Sequence, residues 1–407
     1  MIIEKKLKNG MPVFFDKIDG IQSVTIGIFV GTGSKHEKVD EYGVSHLLEH
    51  MMFKGTKKRS AKELSEEIDN VGGNINAYTG KETTAYYIQL LSSRLEVGVD
   101  ILSDMFLNST FSDENLEKEK KVVIEEINMY EDIPEEKVHD MNSTFAISGD
   151  QSNIVLGSIE SVNGISRDIL VNYFNRRYTP ENMVISLAGN MDIDKVMEML
   201  EDTMGTMEKK EVQTSEEFSM KINPGKQISK KEMSQVHLCI NTKGISYLDE
   251  DRYKYSIISN ILAGNMSSRL FQKIREDRGL AYSIYSYMSN FKEGGLFTIY
   301  AGTTPKDYNE VIQIVLEEFE EIKKNSVTEK ELERSKNQFL SSLTFGLENS
   351  RARMSRLASS YLTYGRIKTI EETIEEIEKI TCEDIKKVAN KVFSEEYYSY
   401  TILGDIE

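Results

Sequence analysis

Tyr178-Thr-Pro-Glu-Asn-Met-Val-Ile-Ser-Leu-Ala-Gly-Asn-Met-Asp192 returns in altered form as Phe393-Ser-Glu-Glu-Tyr-Tyr-Ser-Tyr-Thr-Ile-Leu-Gly-Asp-Ile-Glu407, at a constant offset of 215. Ser112-Asp-Glu-Asn-Leu-Glu117 returns as Thr328-Glu-Lys-Glu-Leu-Glu333, at an offset of 216. Two separate segments sharing nearly one offset point to a chain built by internal duplication. The polar stretch from Lys209 to Lys221, with Pro224-Gly225 just beyond, has the composition of a linker. The expected organisation is therefore a domain of residues 1–212, a linker of residues 213–225 and a homologous domain of residues 226–407.

Outward from the strand Met183–Ala188, the first half alternates strands and helices. Ile2–Leu7 and Pro12–Asp16 flank Asn9-Gly10, a pair suited to the positive backbone angles of a tight hairpin turn. A strand is expected over 24–30, and helices over 44–53 and 61–71, the latter capped by Ser60. Strands follow over 74–78 and 83–90, then helices over 95–108, 113–130 and 167–174. Strands joined by hairpins pair antiparallel, so the expected class is α+β: two duplicated domains, each a mostly antiparallel sheet with helices packed on one face.

Composition narrows the function classes. The chain has 407 residues, enough for two or three domains, with 39% hydrophobic and 29% charged residues. A net charge of −17 disfavours nucleic acid and anionic membrane surfaces and would draw basic peptides. The segment Met1-Ile-Ile-Glu-Lys-Lys-Leu7 has no secretory pattern, and no apolar run is long enough to span a bilayer, so a cytoplasmic location is expected. The two cysteines, Cys239 and Cys382, form no Cys-x-x-Cys pair and are expected to be reduced packing residues.

The chemistry is concentrated in Gly43-Val-Ser-His-Leu-Leu-Glu-His-Met-Met-Phe53. On a helix, with His46 at zero, His50 falls at about 40°, Phe53 at about 340° and Glu49 at about 300°. Leu47, Leu48, Met51 and Met52 fill the rest of the circle, leaving an apolar helix with one polar stripe. Two histidines four apart can hold one cation. A catalytic zinc site wants a third protein ligand and an open position. The helix over 113–130 offers two candidates, because Glu119 and Glu126 both fall within its apolar arc of Val122, Tyr130, Val123, Leu116 and Ile127, whereas Glu117 and Glu125 point elsewhere. Buried carboxylates of this kind need pairing or coordination. Periodicity alone does not choose between them.

His46-Leu-Leu-Glu-His50, followed 76 positions later by Glu126, resembles the inverted zinc motif of the pitrilysin family, which includes insulin-degrading enzyme and the mitochondrial processing peptidases. The likeness runs over nearly the whole chain. It implies one zinc per chain held by His46, His50 and Glu126, with Glu49 as general base and Glu119 behind the ligands. It also implies that the chain forms half of a clamshell chamber, completed by a homodimer or a heterodimer with a related chain. The substrate would be a peptide or an unfolded extension. A catalytically silent, peptide-binding or structural subunit of the same fold is the alternative.

Further candidates concern how a peptide is held. Phe53, on the same stripe, is a candidate substrate contact. Gly72-Gly-Asn-Ile-Asn-Ala-Tyr-Thr79 reads as a short edge strand able to pair with an extended peptide, and the resemblance makes Asn76 and Ala77 its backbone contacts. In Ser268-Arg-Leu-Phe-Gln-Lys-Ile-Arg-Glu-Asp-Arg-Gly-Leu-Ala-Tyr282, Arg275 and Tyr282 have the spacing of an arginine and a tyrosine that in this family reach the substrate carbonyl, with Arg278 as the competing arginine. The offset of 216 places Ser335 opposite Glu119 and Ser342 opposite Glu126, and the second half holds one histidine, His237. That half cannot hold an equivalent metal.

Overall fold

The computed structural model describes residues 2–209 and 218–406. Its strands in chain order are β1 (Ile2–Lys6), β2 (Pro12–Lys17), β3 (Ser23–Val30), β4 (Asn74–Thr79), β5 (Thr84–Leu91), β6 (Ile147–Gly149) and β7 (Met183–Gly189). They continue with β8 (Met220–Ile222), β9 (Gly225–Lys230), β10 (Val236–Lys243), β11 (Ala281–Asn290), β12 (Gly295–Thr303) and β13 (Ser399–Gly404). One sheet has the order β1-β2-β7-β3-β5-β4 and the other β11-β12-β10-β13-β9. Every neighbouring pair is antiparallel except β2 with β7 and β13 with β9. Read from the far end, the second sheet repeats the first strand for strand and direction for direction, β9 standing for β2, β13 for β7, β10 for β3, β12 for β5 and β11 for β4. The first quoted repeat is thus the equivalent strand of each sheet, β7 and β13, the second opens a helix in each half, Asp113–Asp132 and Glu329–Gly346, and the fold is the expected α+β duplication.

The main helices of the first half are α1 (Val44–Met52), α2 (Ala61–Asn70), α3 (Leu95–Asn108), α4 (Asp113–Asp132) and α5 (Pro134–Phe145). The Ser60 hydroxyl accepts from the Glu63 N–H while the Glu63 side chain returns to the Ser60 N–H, a reciprocal cap that starts α2. Helices cover one face of the first sheet, where Ile26, Ile28, Tyr86 and Leu187 pack with Leu47, Met51, Leu102 and Val123. The second sheet packs Leu238, Ile240, Phe297 and Ile299 against Ile258, Val315 and Phe319 in the same way.

Each sheet also carries one helix on its opposite face, and there the two halves of the sequence exchange material. Helix Ser350–Tyr364 lays Met354, Leu357 and Ala358 over Phe14, Phe29, Tyr87 and Val184 of the first sheet. Helix α5 packs Val138 against Cys239, Tyr300 and Leu403 of the second. His139 fixes it further, with Nε2 2.8 Å from the Tyr285 hydroxyl and Nδ1 2.8 Å from that of Tyr287. The compact units are accordingly Met1–Ile127 with Asn153–Glu217 and Thr344–Ile367, and Asn128–Ser152 with Phe218–Leu343 and Lys368–Glu407. The linear division at the linker follows the repeats, while the packing interleaves them.

Several local expectations need correction. The β1–β2 connection is a five-residue loop, Leu7–Met11, rather than a two-residue turn, although Gly10 does adopt φ +88°. Helix α5 was not legible, because Val138 and Met141 give it only a narrow apolar face. Val122 is exposed, so the buried arc of α4 lies further toward Leu116, Glu119, Val123 and Ile127. Residues 213–217 of the expected linker lie outside the described residues; its remainder holds β8, which pairs with β6, and the start of β9. Cys239 and Cys382 are free thiols. Among the described residues no helix is long and apolar enough to cross a membrane.

Candidate metal centre

Helix α1 starts at Gly43, which takes φ +90°. A Cβ there would sit 2.8 Å from the Leu156 carbonyl oxygen, so only glycine fits the turn without strain. Its first amides have no intrahelical partner. Two of them are taken by Glu37, whose carboxylate accepts from the Gly43 N–H at 2.9 Å and the Ser45 N–H at 2.8 Å. Burial pushes the Glu37 carboxyl up to about 7, against the pull of these bonds. The Ser45 hydroxyl is 2.6 Å from that of Tyr173. Val44, Leu47, Leu48, Met51 and Met52 are buried, and the half-buried stripe is His46, Glu49 and His50.

Helix α4 brings its two carboxylates to this stripe in different ways. Glu126 Oε2 lies 3.7 Å from His46 Nε2 and 3.7 Å from His50 Nε2. Those separations exceed a good hydrogen bond. They are close to the roughly 3.4 Å between ligand atoms on a tetrahedral zinc with bonds of about 2.0–2.1 Å. One ligand atom from each of His46, His50 and Glu126 lies within 4.8 Å of the others, the one such three-residue cluster among the described residues.

Glu119 sits behind. Its Oε2 is 3.2 Å from His50 Nδ1 and its Oε1 is 2.8 Å from Lys54 Nζ. An imidazole that donates Nδ1–H to a carboxylate keeps its Nε2 lone pair for a metal. The two carboxylates that periodicity left alike are placed differently: Glu126 faces both Nε2 atoms, and Glu119 faces the other side of one ring.

The electrostatics suit a cation. Burial, and secondly the His50 charge, lower His46 to about 4, so its ring is the neutral imidazole that a metal ligand must be. Burial raises the Glu49 carboxyl, opposed by the Thr79 hydroxyl that donates to Oε2 and by His50. Two imidazoles and a carboxylate converging on one point, with a second carboxylate orienting one ring, fit zinc.

The remaining candidates fall as follows. Phe53 ends α1, half-buried, with its ring 6.3 Å from that of Tyr86. Asn76 and Ala77 lie on β4, the edge strand, and the Ala77 N–H donates to the Asn76 side-chain oxygen at 2.7 Å. Arg275 and Tyr282 belong to the other unit. Tyr282 occupies a bulge between Ala281, paired with Thr303, and Ser283, paired with Gly302, which turns its ring outward to 77% exposure. The Arg275 guanidinium rests 5.4 Å from the Tyr282 ring and 4.8 Å from that of Phe271. Arg278 instead reaches Glu310 at 3.4 Å. In that unit Ser335 is buried, and His237 bonds the Tyr300 hydroxyl at 2.8 Å. No sequence signal points to Glu37, to Lys54 on Glu119 or to Thr79 on Glu49, since all three act through folded proximity.

A helix bearing His-x-x-Glu-His and faced by a glutamate from a second helix, inside a duplicated α+β fold, defines a class of metal-site proteins. The chain belongs to peptidase family M16. The profile described as "Insulinase (Peptidase family M16)" matches residues 14–158, and that described as "Peptidase M16 inactive domain" matches residues 164–339. The uncharacterized zinc protease YmxG of Bacillus subtilis is 40% identical over 98% of this chain and 97% of its own. The uncharacterized zinc protease ML0855 of Mycobacterium leprae is 36% identical over 96% and 89%. A protease from Helicobacter pylori shares the fold at a TM-score of 0.92, with 19% identity and 99% of each chain covered. A chain of complex III2 from Candida albicans does so at 0.85, with 19% identity over 99% of this chain and 96% of that one.

Proposed function

We propose that the chain is a zinc-dependent endopeptidase acting on peptides or unfolded extensions, with His46, His50 and Glu126 as ligands of one zinc per chain. The observation that carries this reading is the convergence of those three donors beside Glu49. Zinc bound there would polarise the scissile carbonyl and the attacking water. Glu49, one helical turn from the ligands and raised by burial, takes the water's proton and then delivers it to the leaving amine. Glu119 holds His50 in the required tautomer. β4 pairs with the substrate backbone through Asn76 and Ala77, Phe53 lines the approach, and Arg275 and Tyr282 donate to the developing oxyanion. In this reading residues 1–212 carry the metal and residues 226–407 contribute substrate contacts. Two chains, identical or related, close a chamber in the cytoplasm. The names of the zinc protease relatives support the assignment.

Metal analysis of the purified protein and cleavage of a quenched peptide test it. One equivalent of zinc is expected, with cleavage lost on chelation and at least a hundredfold lower in Glu49→Gln. Undiminished cleavage by Glu49→Gln, or zinc binding that survives His46→Ala with His50→Ala, would sink it.

A further inference from the structure

The face of the first sheet turned away from the metal centre carries an arginine that has no carboxylate partner among the described residues. Along β4, Thr79 reaches Glu49 on the metal side, so Ile75, Ala77 and Thr79 share that face and Asn74, Asn76 and Tyr78 share the other. Behind Asn76 stands Tyr87 of β5, its direct cross-strand partner. Arg351, in the first turn of helix Ser350–Tyr364, lies over it: Nη1 donates to the Tyr87 hydroxyl at 3.2 Å, and the guanidinium carbon is 5.5 Å from the ring centroid. The Arg351 charge also reaches the Tyr78 phenol, where it opposes the upward push of burial.

Two features distinguish this from a solvated charge. Arg353, two residues along the same helix, is committed to Asp16 by bonds of 2.6 and 2.9 Å, whereas Arg351 forms no ion pair among the described residues. The Tyr87 hydroxyl accepts from Arg351, which leaves its own proton to donate. Arg351, the Tyr87 hydroxyl and the 42% exposed Tyr78 ring thus share one face of the β5–β4 end of the sheet, next to the strand assigned to the substrate backbone. Residues directly opposite one another on paired strands lie about 4.5–5.5 Å apart, and a bound strand alternates its side chains between the two faces. Alternate substrate side chains therefore extend over the face that carries Arg351, and those level with Asn76 lie about 10 Å, two strand spacings, from Tyr87.

We propose that Arg351, Tyr87 and Tyr78 form a subsite for an aspartate or glutamate side chain of an extended peptide, at a position facing away from His46, His50 and Glu126. The proposal rests on the peptidase reading for the place of the peptide along β4. It gives a local preference opposite to the bias of the overall charge of −17, which favours basic peptides in approach.

The test uses full-length, zinc-loaded Glu49→Gln protein and fluorescent peptides identical except for Glu, Gln or Lys at one scanned position. Binding is followed by anisotropy, with kcat/KM of the unmutated protein measured in parallel. At one position, or at two of the same parity, the Glu peptide should bind roughly tenfold more tightly than the Lys peptide, about 1.4 kcal/mol. Adding Arg351→Glu should reverse that order, Arg351→Met should flatten it, and Tyr87→Phe should reduce it a few-fold. Each comparison is a ratio within one protein, and thermal melting establishes that each variant is folded. A Glu-to-Lys ratio that Arg351→Glu leaves in place overturns the subsite, as does an acidic preference spread evenly over adjacent positions. If Arg351→Glu reverses the binding order but the unmutated protein cleaves nothing, the subsite stands and the peptidase reading falls. If no peptide binds, both fall.

Discussion

Glu37→Gln isolates the cost of holding a carboxylate under the metal helix. The Glu37 carboxyl is 6% exposed and accepts the Gly43 and Ser45 amides. Burial raises it from an ordinary 4.5 to about 7, with the neighbouring Glu41 charge adding to the rise. A group whose folded pKa exceeds its unfolded value stabilises the fold fully below the unfolded pKa and loses that contribution as pH climbs through the folded one. A rise of this size corresponds to about 3 kcal/mol, lost between roughly pH 4.5 and 7.5. Glutamine cannot ionise, and it can accept only one of the two amides through its carbonyl oxygen, leaving a buried N–H that costs about 1–3 kcal/mol. At pH 5 the unmutated protein should therefore be the more stable by that amount, and by pH 8 the difference should have shrunk by about 3 kcal/mol or changed sign. His36, lowered to about 3 by burial and by the Arg177 and Lys35 charges, pulls the other way, losing stability as pH falls below 6.5, but it is common to both proteins and cancels. Urea unfolding with chelator present, at matched pH values from 5 to 9, reads the difference without the pH dependence of zinc binding. A difference constant across that range, or one that widens as pH rises, refutes the reasoning.

Other perturbations address the site directly. Glu119→Gln removes the charge that orients His50 Nδ1, and zinc affinity measured against a competing chelator should fall about 10- to 100-fold; equal affinity would deny Glu119 that role. Thr79→Val removes a bond that opposes the burial-driven rise of Glu49. A base works only when ionised, so the acid limb of kcat/KM should move to higher pH, and an unmoved limb would show that Thr79 does not tune Glu49. Gly43→Ala combines a φ of +90° with a 2.8 Å approach to the Leu156 oxygen and should cost about 1–3 kcal/mol, read as a lower melting temperature.

What the sequence made legible follows the reach of its signals. The circle of apolar residues around His46, Glu49 and His50 is a property of nine consecutive residues, and α1 buries the residues on that circle. The repeated segments at Met183 and Ser399 located the same strand in both sheets because β-branched and small residues at a fixed spacing survive duplication. Glu119 and Glu126 were both visible as carboxylates on a buried arc, but their separate tasks depend on which ring nitrogen each meets, and no one-dimensional pattern carries that. Thr79, Lys54 and Glu37 were invisible for the same reason. Helix α5 escaped because what holds it in place is polar: His139 between two tyrosine hydroxyls, and Asn142 bonded both ways to Asn241 at 2.7 and 3.0 Å.

The exchange of helices between repeats changes what a domain of this chain is. A fragment ending near residue 212 would keep α1, α4 and every metal-site residue, yet lose the helix Ser350–Tyr364 that covers Phe14, Phe29, Tyr87 and Val184. It would also lose the Arg353 partner of buried Asp16 and the Ser350 hydroxyl 2.9 Å from buried Thr25. Exposing an apolar sheet face and breaking the ion pair of a buried carboxylate each cost several kcal/mol, comparable with the net stability of a domain. Among the described residues the second repeat holds no cluster like that of His46, His50 and Glu126, but it supplies the cover on which the first depends, and on that cover it carries Arg351. Division of labour between the repeats therefore runs through folding as well as chemistry: selection acting on the helix that seals the metal-bearing unit can alter the proposed acidic subsite without touching a metal ligand.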